Sequence, residues 1–409
     1  MKKGFLSQYF EGVSAKRLSA VEASPDRSNQ HEFNGVKALK KLLGERRLTD
    51  CPARFIWLGE ENEGLSEDAL VTWYDSRESH PTRSEYRLYF RSNPVMELAN
   101  EGDLLFIAKR PSGELMIVVV AEGSTVENQL LWLFGVPIQI GLGFEYRDFE
   151  NGDDIQVDFA ARFILEELGI EIEEPEAERL DELLELYGGI FPTTAEFSAF
   201  ARETLPDVVA RDDPDAALLA WMEHEEKLFR RLERHIVSDR LKEGFWSSDG
   251  ADVDGFISFS LSVQNRRKSR TGYALENHLE ELFRAFGIRY ERQAITENNS
   301  KPDFLFPGAR EYHDTNFPTV NLSMLGVKST CKDRWRQVLA EAARISEKHL
   351  FTLEPGISEN QTNEMQVNKL RLVLPKGLHE TYREMQRSWL MDLREFIDFV
   401  REQQACFSV

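Results

Sequence analysis

The chain changes its sequence pattern at an acidic segment near its middle, residues 171–179. From about residue 50 to 140, short β-branched and aromatic runs are separated by clusters of glycine, proline and polar residues, which is typical of a barrel or sandwich. Beyond about residue 215, apolar residues recur at helical spacing and are followed by alternating strands and helices. Because 409 residues are also many for one core, we predict two domains, residues 1–170 and 216–409, joined by an acidic linker region at 171–215.

Individual elements of both halves can be predicted from the apolar pattern. The N-terminal half is expected to contain strands at residues 55–57, 69–74, 86–90, 104–108 and 115–120 and a short helix at 36–43. The C-terminal half is expected to contain helices at 216–242, 273–286, 333–345 and 390–402 and strands at 303–306, 324–330 and 370–374. This alternation predicts an α/β domain with a mixed sheet flanked by helices.

Charge and cysteine content restrict the function classes. A formal net charge of −21 argues against indiscriminate nucleic-acid binding. Local charge is what matters in a DNA cleft, however, and cations cluster at residues 82–91, 266–270 and 328–336. The three cysteines are scattered without metal-ligand spacing, which favours free thiols in a cytoplasmic protein. No apolar run approaches the roughly 20 residues of a membrane span, so neither a membrane segment nor a secretory signal is expected.

An incomplete nuclease motif lies in the C-terminal half. Hydrolysis of a phosphodiester needs carboxylates that hold Mg²⁺ and a cation near the attacked phosphate. Asp303, preceded by Pro302, opens one predicted strand, and Lys328 lies 25 residues later on the next. The simple pattern has an acid two residues before the lysine, but this chain has Gly326 there. By spacing alone the motif is therefore weak, since Pro-Asp pairs are also common in turns.

Two glutamates can supply the missing carboxylate. Glu341 is predicted on the helix 333–345, about two turns from Arg334 and on the same face. Glu276 flanks the apolar face of the predicted helix 273–286. A carboxylate on a neighbouring helix can still reach a metal ion. From spacing alone, however, a solvent-exposed helix position is the more frequent explanation for each glutamate.

A basic segment follows the lysine at residues 332–336. Arg and Lys can bond guanine O6 and N7, and Asp can accept from cytosine N4, so Lys332, Asp333 and Arg334 carry the groups needed to recognise successive G·C pairs. The alternative is a salt-bridged helix start with Asp333 as the N-cap. Trp335 shares a face with apolar residues 338, 339 and 342, which predicts a core position.

Taken together, these segments resemble the EcoRII restriction endonuclease family. The resemblance is carried, in order, by residues 259–270, 301–304, 325–336 and 349–353, and it covers roughly residues 220–400. It implies a restriction-endonuclease-like α/β core of the PD-(D/E)XK type with Mg²⁺ as the cofactor. The glycine at position 326 is then the family's own variation.

The same resemblance implies roles for individual residues. The implied catalytic residues are Asp303, Lys328, Glu341, Glu276 and Tyr312, of which Asp303 and Glu341 hold the metal. Lys332, Asp333 and Arg334 fall where the family reads the outer C·G pairs of its CCWGG target.

The N-terminal half resembles the effector domain of the same family more weakly. The matching pieces are residues 16–20, the region around His31, residues 74–77 and residues 82–87. They imply a B3-like DNA-binding pseudobarrel that binds a second copy of the target as an allosteric effector and occludes the catalytic cleft until it is bound. The candidate DNA-binding residues are Arg17, His31, Arg77, Arg83, Glu85, Tyr86 and Arg87.

Three of these residues also form a pattern of their own. Arg83, Glu85 and Arg87 alternate along a predicted strand, so their side chains are expected on one face, where all three could contact DNA. The alternative explanation is an exposed charged face.

The resemblance therefore implies a type II (IIE) restriction endonuclease that cleaves double-stranded DNA at a CCWGG-like site and leaves 5′ phosphates. A palindromic target calls for a homodimer with one active site per strand, and the resemblance implies two bound target sites and a partner cytosine methyltransferase. Extrusion of the central bases is also considered, with Phe229 and Arg230 as stacking residues, although core and surface positions fit them better.

The sequence leaves two other functions open. One is a repair or structure-directed DNA nuclease on the same core. The other is a non-catalytic DNA-binding regulator, which the joint presence of Asp303, Lys328 and Glu341 disfavours.

Overall fold

The structure, a computed structural model, describes residues 4–23, 31–35, 37–59, 64–80, 82–149, 155–170, 172, 180–247, 250–331 and 334–407. The chain divides into two compact units. The first unit comprises Met1–Ile170, Pro355–Thr362 and Thr381–Arg383, and the second comprises Glu171–Glu354, Asn363–Glu380 and Glu384–Val409. None of the helices in the described ranges is long and apolar enough to cross a membrane.

An eight-stranded sheet dominates the first unit. Its strands are β1 (Gly12–Arg17), β2 (Glu32–Gly35), β3 (Leu48–Leu58), β4 (Ser66–Asp75), β5 (Tyr86–Tyr89), β6 (Leu104–Lys109), β7 (Leu115–Val120) and β8 (Glu145–Asp148). They pair in the order β2-β5-β4-β3-β7-β6-β1-β8, and neighbours are antiparallel except for β3 and β7, which are parallel. The helices up to residue 170 are α1 (Ala20–Ala23), α2 (Lys37–Leu43), α3 (Pro94–Leu98), α4 (Thr125–Leu133) and α5 (Phe159–Glu167).

Strand composition explains how this sheet is covered. The central strand β7 consists entirely of apolar residues, and all of them are buried, as expected for a strand packed on both faces. Strand β4 instead has exposed residues at alternate positions over its first half. Phe55, Trp73 and Phe90 belong to one hydrophobic core cluster of this unit. The prediction of a mainly-β N-terminal half is confirmed, whereas the B3-like assignment stays a prediction.

The second unit contains a mixed sheet with helices. Its strands are β9 (Trp246–Ser247), β10 (Gly250–Ala251), β11 (Glu291–Arg292), β12 (Phe304–Phe306), β13 (Ser323–Lys328), β14 (Lys348–Thr352) and β15 (Leu370–Val373). The last five pair in chain order, with β11-β12-β13 antiparallel and β13-β14-β15 parallel. The mixed sheet predicted for the C-terminal half is therefore confirmed.

The remaining helices follow in chain order. They are α6 (Leu180–Tyr187), α7 (Thr194–Glu203), α8 (Pro214–Glu243), α9 (Val253–Ala285), α10 (Ala309–His313), α11 (Trp335–Val338), α12 (Glu359–Val367), α13 (Glu384–Arg387) and α14 (Leu393–Ala405). Short 3₁₀ turns lie at Glu297–Asn299, Thr319–Asn321 and Lys376–Thr381.

Helix α9 is much longer than the predicted helix 273–286. It begins at Val253, where the Asp252 side chain caps it by accepting a 2.9 Å hydrogen bond from the Gly255 backbone N–H. Alternation of serine with apolar residues over 256–262 obscures the helical period in this part of the sequence. The apolar face predicted for the C-terminal part is fully buried at Leu275, Leu279, Leu282 and Phe283.

The region expected to be a linker contains two helices of the second unit. Leu183 of α6 and Phe197 of α7 form one buried cluster with Leu228, Phe229 and Leu232 of α8. Helix α7 begins with a capping box between Thr193 and Glu196. Residue 171 and residues 173–179, the acidic part of the predicted linker, lie outside the described residues.

Candidate active site

Strand register brings Asp303 and Lys328 together. Strands β12 and β13 are antiparallel with Phe304 opposite Leu325, so Asp303 precedes β12 close to the end of β13. The Asp303 Oδ2 atom accepts hydrogen bonds from the Val327 backbone N–H at 2.6 Å and from Lys328 Nζ at 3.0 Å. Asp303 is buried, so this contact between carboxylate and lysine is largely shielded from water.

A residue missed in the sequence holds the other oxygen of this carboxylate. Gln293 Nε2 donates to Asp303 Oδ1 at 3.0 Å, and the Gln293 backbone N–H donates to the Asp303 carbonyl at 3.3 Å. Gln293 has a φ of 52°, which is unusual for a residue with a side chain. The orientation of Asp303 is thus fixed from both sides.

The glycine at position 326 has a packing explanation. A Cβ atom at this position would lie 2.8 Å from Cγ2 and 3.0 Å from Cγ1 of Val338 on helix α11. Val338 is completely buried, so it has little room to move aside. Close approach of α11 to β13 therefore excludes an acid where the simple nuclease motif has one.

Glu341 does not lie on a helix, and the predicted helix 333–345 is wrong. Helix α11 ends at Val338, and the backbone N–H groups of residues 339, 340 and 341 donate to carbonyls three residues earlier. Ala342 then adopts a φ of 47°, which terminates any helical continuation. Glu341 and Arg334 therefore do not share a helix face.

Glu341 nevertheless lies in the electrostatic field of Asp303 and Lys328. Burial and the negative charge of Asp303 raise the pKa of Glu341 to about 7, against the opposing effect of Lys328 and Lys348. The Glu341 Oε2 atom is buried and has no hydrogen-bond partner. A buried carboxylate oxygen without a partner is costly, so this atom is suited to a cation.

Glu276 is the third carboxylate of the site. Burial raises the pKa of Glu276, and the charge of Asp303 adds to this effect while Arg292 opposes it. Arg292 Nη2 donates to Glu276 Oε2 at 2.7 Å, and Arg292 Nη1 donates to Glu280 Oε2, also at 2.7 Å. Glu276 is therefore less available to a ligand than Glu341.

The donor set suits a hard dication. Asp303, Glu276 and Glu341 offer only carboxylate oxygens, which are the ligands that Mg²⁺ prefers. Within the described ranges, no three Asp, Glu, His or Cys side chains form a ready-made metal cluster. A dication would offset the burial of the two carboxylates and their repulsion by Asp303, which together raise the pKa values of Glu341 and Glu276. The residues present thus fit Mg²⁺.

Tyr312 lies beside the segment that follows Glu341. Its side chain is almost fully buried on helix α10, and its hydroxyl donates to Glu297 Oε2 at 2.5 Å and accepts from the Arg344 backbone N–H at 3.2 Å. Burial and the hydrogen bond to Glu297 raise the pKa of Tyr312 to about 12. Its hydroxyl therefore stays protonated around neutral pH.

The predicted recognition residues are only partly described. Lys332 and Asp333 lie outside the described residues. Arg334 is exposed directly before α11, and its backbone N–H donates to the Cys331 carbonyl at 2.7 Å. Buried Glu354, which the sequence gave no reason to select, accepts a hydrogen bond from the Cys331 backbone N–H. Trp335 is fully buried, as predicted.

The two residues considered for base stacking have intramolecular partners. Phe229 is buried, with the ring of Phe191 at 5.5 Å and the guanidinium of Arg270 at 4.2 Å from its ring centroid. Arg230 Nε donates to Glu226 Oε1 at 2.5 Å. Core and surface positions, the explanations favoured from the sequence, agree with this arrangement.

Most of the cations predicted to bind DNA in the first unit are ion-paired. Arg17 Nη2 lies 2.6 Å from Glu127 Oε1, and Arg77 Nε lies 2.5 Å from Glu85 Oε2. Arg87 donates to both Glu85 and Glu32. These arginines are thus committed to carboxylates of the same unit.

The predicted alternation of Arg83, Glu85 and Arg87 on one strand is wrong. Strand β5 begins at Tyr86, so only Arg87 of the three lies within it. The backbone N–H of Glu85 donates instead to the Asp75 side chain at 2.6 Å, which holds the residues before the strand in a loop.

The other candidates of the first unit are one exposed arginine and two residues that pack in the fold. Arg83 is exposed. Tyr86 packs on Trp73 and its hydroxyl donates to the Glu45 carbonyl at 2.8 Å. His31 is half-buried, with its ring edge-on to Phe90. Tyr86 and His31 therefore have packing roles in the fold.

One segment of the chain is similar to known proteins. Residues 229–397 match the family model described as EcoRII C terminal. Over 186 residues, the sequence is 52% identical to the type II restriction enzyme EcoRII of Escherichia coli, an alignment that covers 45% of this chain and 45% of that protein. The chain thus matches about half the length of this curated relative.

Solved structures of DNA complexes are also similar. A metal-depleted Ecl18kI bound to uncleaved, modified DNA matches with a TM-score of 0.45 and 20% identity, over 54% of this chain and 81% of that chain. A complex of the restriction endonuclease PspGI with substrate DNA matches with a TM-score of 0.44 and 17% identity, over 53% of this chain and 94% of that chain.

Proposed function

Because residues 229–397 match the family model described as EcoRII C terminal, we propose that the chain is a type II restriction endonuclease that hydrolyses double-stranded DNA with Mg²⁺. One observation carries the proposal. Asp303 is held against Lys328 by strand register, and the electrostatic field of Asp303 reaches the half-buried carboxylate of Glu341. A lysine among carboxylates within a matched nuclease domain is suited to phosphodiester hydrolysis.

In this proposal Asp303 and Glu341 hold the metal. Glu276 either adjusts the electrostatics of this metal site or contributes to a second metal position. When bound, Mg²⁺ polarises the phosphate and lowers the pKa of a coordinated water. Lys328 stabilises the charge that develops on the attacked phosphate and helps to orient the water. Glu341 must be ionised to serve as a ligand, so its proton is lost when a cation is held there. The bond to the 3′ oxygen breaks, which leaves a 5′ phosphate.

Sequence recognition is assigned to the segment after Lys328. Lys332, Asp333 and Arg334 are proposed to read the outer C·G pairs of a CCWGG-like site. Only three residues separate Lys328 from Lys332. The buried carboxylate of Glu354 holds the Cys331 backbone within this short connection, which supports a rigid link between recognition and cleavage.

The proposed assembly follows from the target. A palindromic site calls for a homodimer with one active site per strand. The first unit, proposed to be B3-like, would bind a second copy of the site as an allosteric effector. A cytosine methyltransferase would protect the host DNA, and both enzymes would work in the cytoplasm.

A plasmid digest tests the proposed function. Unmodified and cytosine-methylated plasmids are incubated with the full chain and Mg²⁺, with a chelator as the control. We expect discrete fragments from the unmodified plasmid alone. Random or structure-dependent cutting would favour a repair nuclease, and DNA binding without any cutting would favour a non-catalytic regulator.

A further inference from the structure

Three side chains from elsewhere in the sequence hold the segment that follows Glu341. The backbone N–H groups of residues 342, 343 and 344 donate, in that order, to Thr296 Oγ1 at 3.4 Å, Glu297 Oε2 at 3.1 Å and the Tyr312 hydroxyl at 3.2 Å. These hydrogen bonds compensate for the left-handed conformation of residue 342. The backbone position of Glu341 therefore depends on acceptors outside its own segment.

The loop that presents Glu297 has a constrained conformation of its own. Asn298 and Asn299 adopt φ values of 58° and 57°, a region that asparagine tolerates better than most residues. The Thr296 backbone N–H donates to the Ser300 carbonyl at 2.9 Å and closes the loop. Thr296 itself is buried. Glu297 is thus presented by a tight turn rather than by a freely moving surface loop.

Tyr312 connects the two sides of this arrangement. Its buried hydroxyl donates to Glu297 and accepts from the backbone N–H of Arg344. The Arg344 guanidinium also donates to backbone carbonyls in and after helix α10, namely those of Tyr312, Asp314 and Phe317. Several hydrogen bonds therefore converge on the residues directly after Glu341.

We propose that Glu297, together with Tyr312, is a positioning residue that holds Glu341 beside Asp303 for metal binding. This inference rests on the proposed function, because it takes Glu341 as a metal ligand. Removal of the Glu297 carboxylate replaces the fixed acceptor of the exposed residue 343 backbone N–H with mobile water, and it takes away a support of the unfavourable turn at residue 342. Glu341 then samples other positions, and the affinity for Mg²⁺ falls.

The test measures metal binding directly. Mg²⁺ affinity is determined without DNA for the full chain, by calorimetric titration and by the Mg²⁺-dependent rise in melting temperature. We expect Glu297→Ala to weaken binding by about tenfold or more, as for other residues that orient a metal ligand. Tyr312→Phe should act in the same direction. Because the Tyr312 hydroxyl is hydrogen-bonded to Glu297, the two effects are coupled, and the double variant should lose less than the sum of the single losses.

Two further variants separate positioning from general destabilisation. Glu297→Gln keeps an oxygen acceptor for the backbone N–H, so its Mg²⁺ affinity should lie between those of wild type and Glu297→Ala. Glu311→Ala is the matched control, because Glu311 lies next to Tyr312 in sequence but pairs with Arg289 at 2.5 Å. Its Mg²⁺ affinity should equal that of wild type.

Wild-type Mg²⁺ affinity in folded Glu297→Ala would overturn the inference. If Glu297→Ala does not fold, unchanged affinity in both Glu297→Gln and Tyr312→Phe would overturn it equally. A wild-type chain that binds Mg²⁺ but cuts no DNA would refute the proposed function instead. The ratio of variant to wild-type affinities would still decide the role of Glu297.

Discussion

In the first unit, most of the arginines singled out from the sequence are paired with carboxylates of the same unit. In the second unit, three carboxylates lie in the surroundings of Lys328. Arg17 and Arg87 each contact at least one glutamate. Glu341, by contrast, has a buried oxygen without a hydrogen-bond partner. Charges that are paired inside a fold are satisfied there, whereas a buried carboxylate oxygen without a partner is suited to an external cation. The contrast therefore favours the second unit as the location of the proposed chemistry.

The largest expected effect is on cleavage. Lys328→Ala removes the cation beside Asp303 and should lower the cleavage rate by about 10² to 10³-fold, since charge on the attacked phosphate is no longer stabilised. DNA affinity, measured by fluorescence anisotropy without Mg²⁺, should change little. Exposed Lys369, at the start of β15, provides the control variant Lys369→Ala, which should cut like wild type. Robust cutting by Lys328→Ala would show that the lysine among the carboxylates of the second unit is not needed for cleavage, and the contrast between the two units would lose its meaning.

The next effect concerns the packing of β13 against α11. Gly326→Ala places a Cβ 2.8 Å from Val338 Cγ2 and should lower the free energy of unfolding by about 1–3 kcal/mol. Denaturant unfolding measures this loss. The second change Val338→Ala creates space, so the double variant should lose less than the two single losses together. Additive losses would show that the close approach is not what excludes a side chain at position 326.

Glu341 gives a pH-dependent prediction. Its pKa is raised from 4.5 to about 7, so its neutral form is favoured by the fold and its ionisation destabilises the metal-free protein as pH rises through about 7. Glu341→Gln mimics the neutral form and should stabilise the chelator-treated protein by about 1–2 kcal/mol at pH 8, with a clearly smaller gain at pH 5, where the loss has only begun. Calorimetric melting at both pH values measures the difference. An equal gain in stability at pH 5 and pH 8 would show that ionisation of Glu341 does not destabilise the metal-free protein.

The smallest effects sharpen the description of the first unit. Arg87→Ala breaks contacts with Glu32 and Glu85 and should cost about 0.5–1 kcal/mol of stability. Arg83 is exposed, so Arg83→Ala should leave the free energy of unfolding unchanged. If this unit binds DNA, the substitution should reduce the slope of log affinity against log salt concentration by about one, which corresponds to one released counterion. A larger loss of DNA affinity in Arg87→Ala than in Arg83→Ala would contradict the assignment of Arg87 to an internal ion pair.

Apolar periodicity was sufficient for much of the fold. The runs at residues 104–108 and 115–120 predicted the central strands of the first unit, and Asp303 and Lys328 were expected on neighbouring strands. These predictions succeed because strands that are packed in a core consist mainly of apolar residues, and such runs can be recognised in the sequence. The beginning of α9 was missed, since serine alternates there with exposed apolar residues such as Phe256 and Ile257.

The supports of the site could not be predicted in the same way. Gln293, Glu297 and Glu354 are polar residues in irregular segments, and what selects them is a hydrogen bond to a distant part of the chain. The end of α11 depends likewise on Ala342, whose conformation is held by tertiary contacts. A single sequence carries no periodic signal for such contacts.

Sequencing the DNA ends made in a Mg²⁺-dependent digest tests the central claim most directly. Fragments from unmodified DNA are mapped for wild type and for Lys328→Ala. The account predicts wild-type ends at one fixed position within a CCWGG-like sequence, each carrying a 5′ phosphate, and few or none from Lys328→Ala. Ends scattered over unrelated sequences, or the same ends in equal yield from Lys328→Ala, would contradict it.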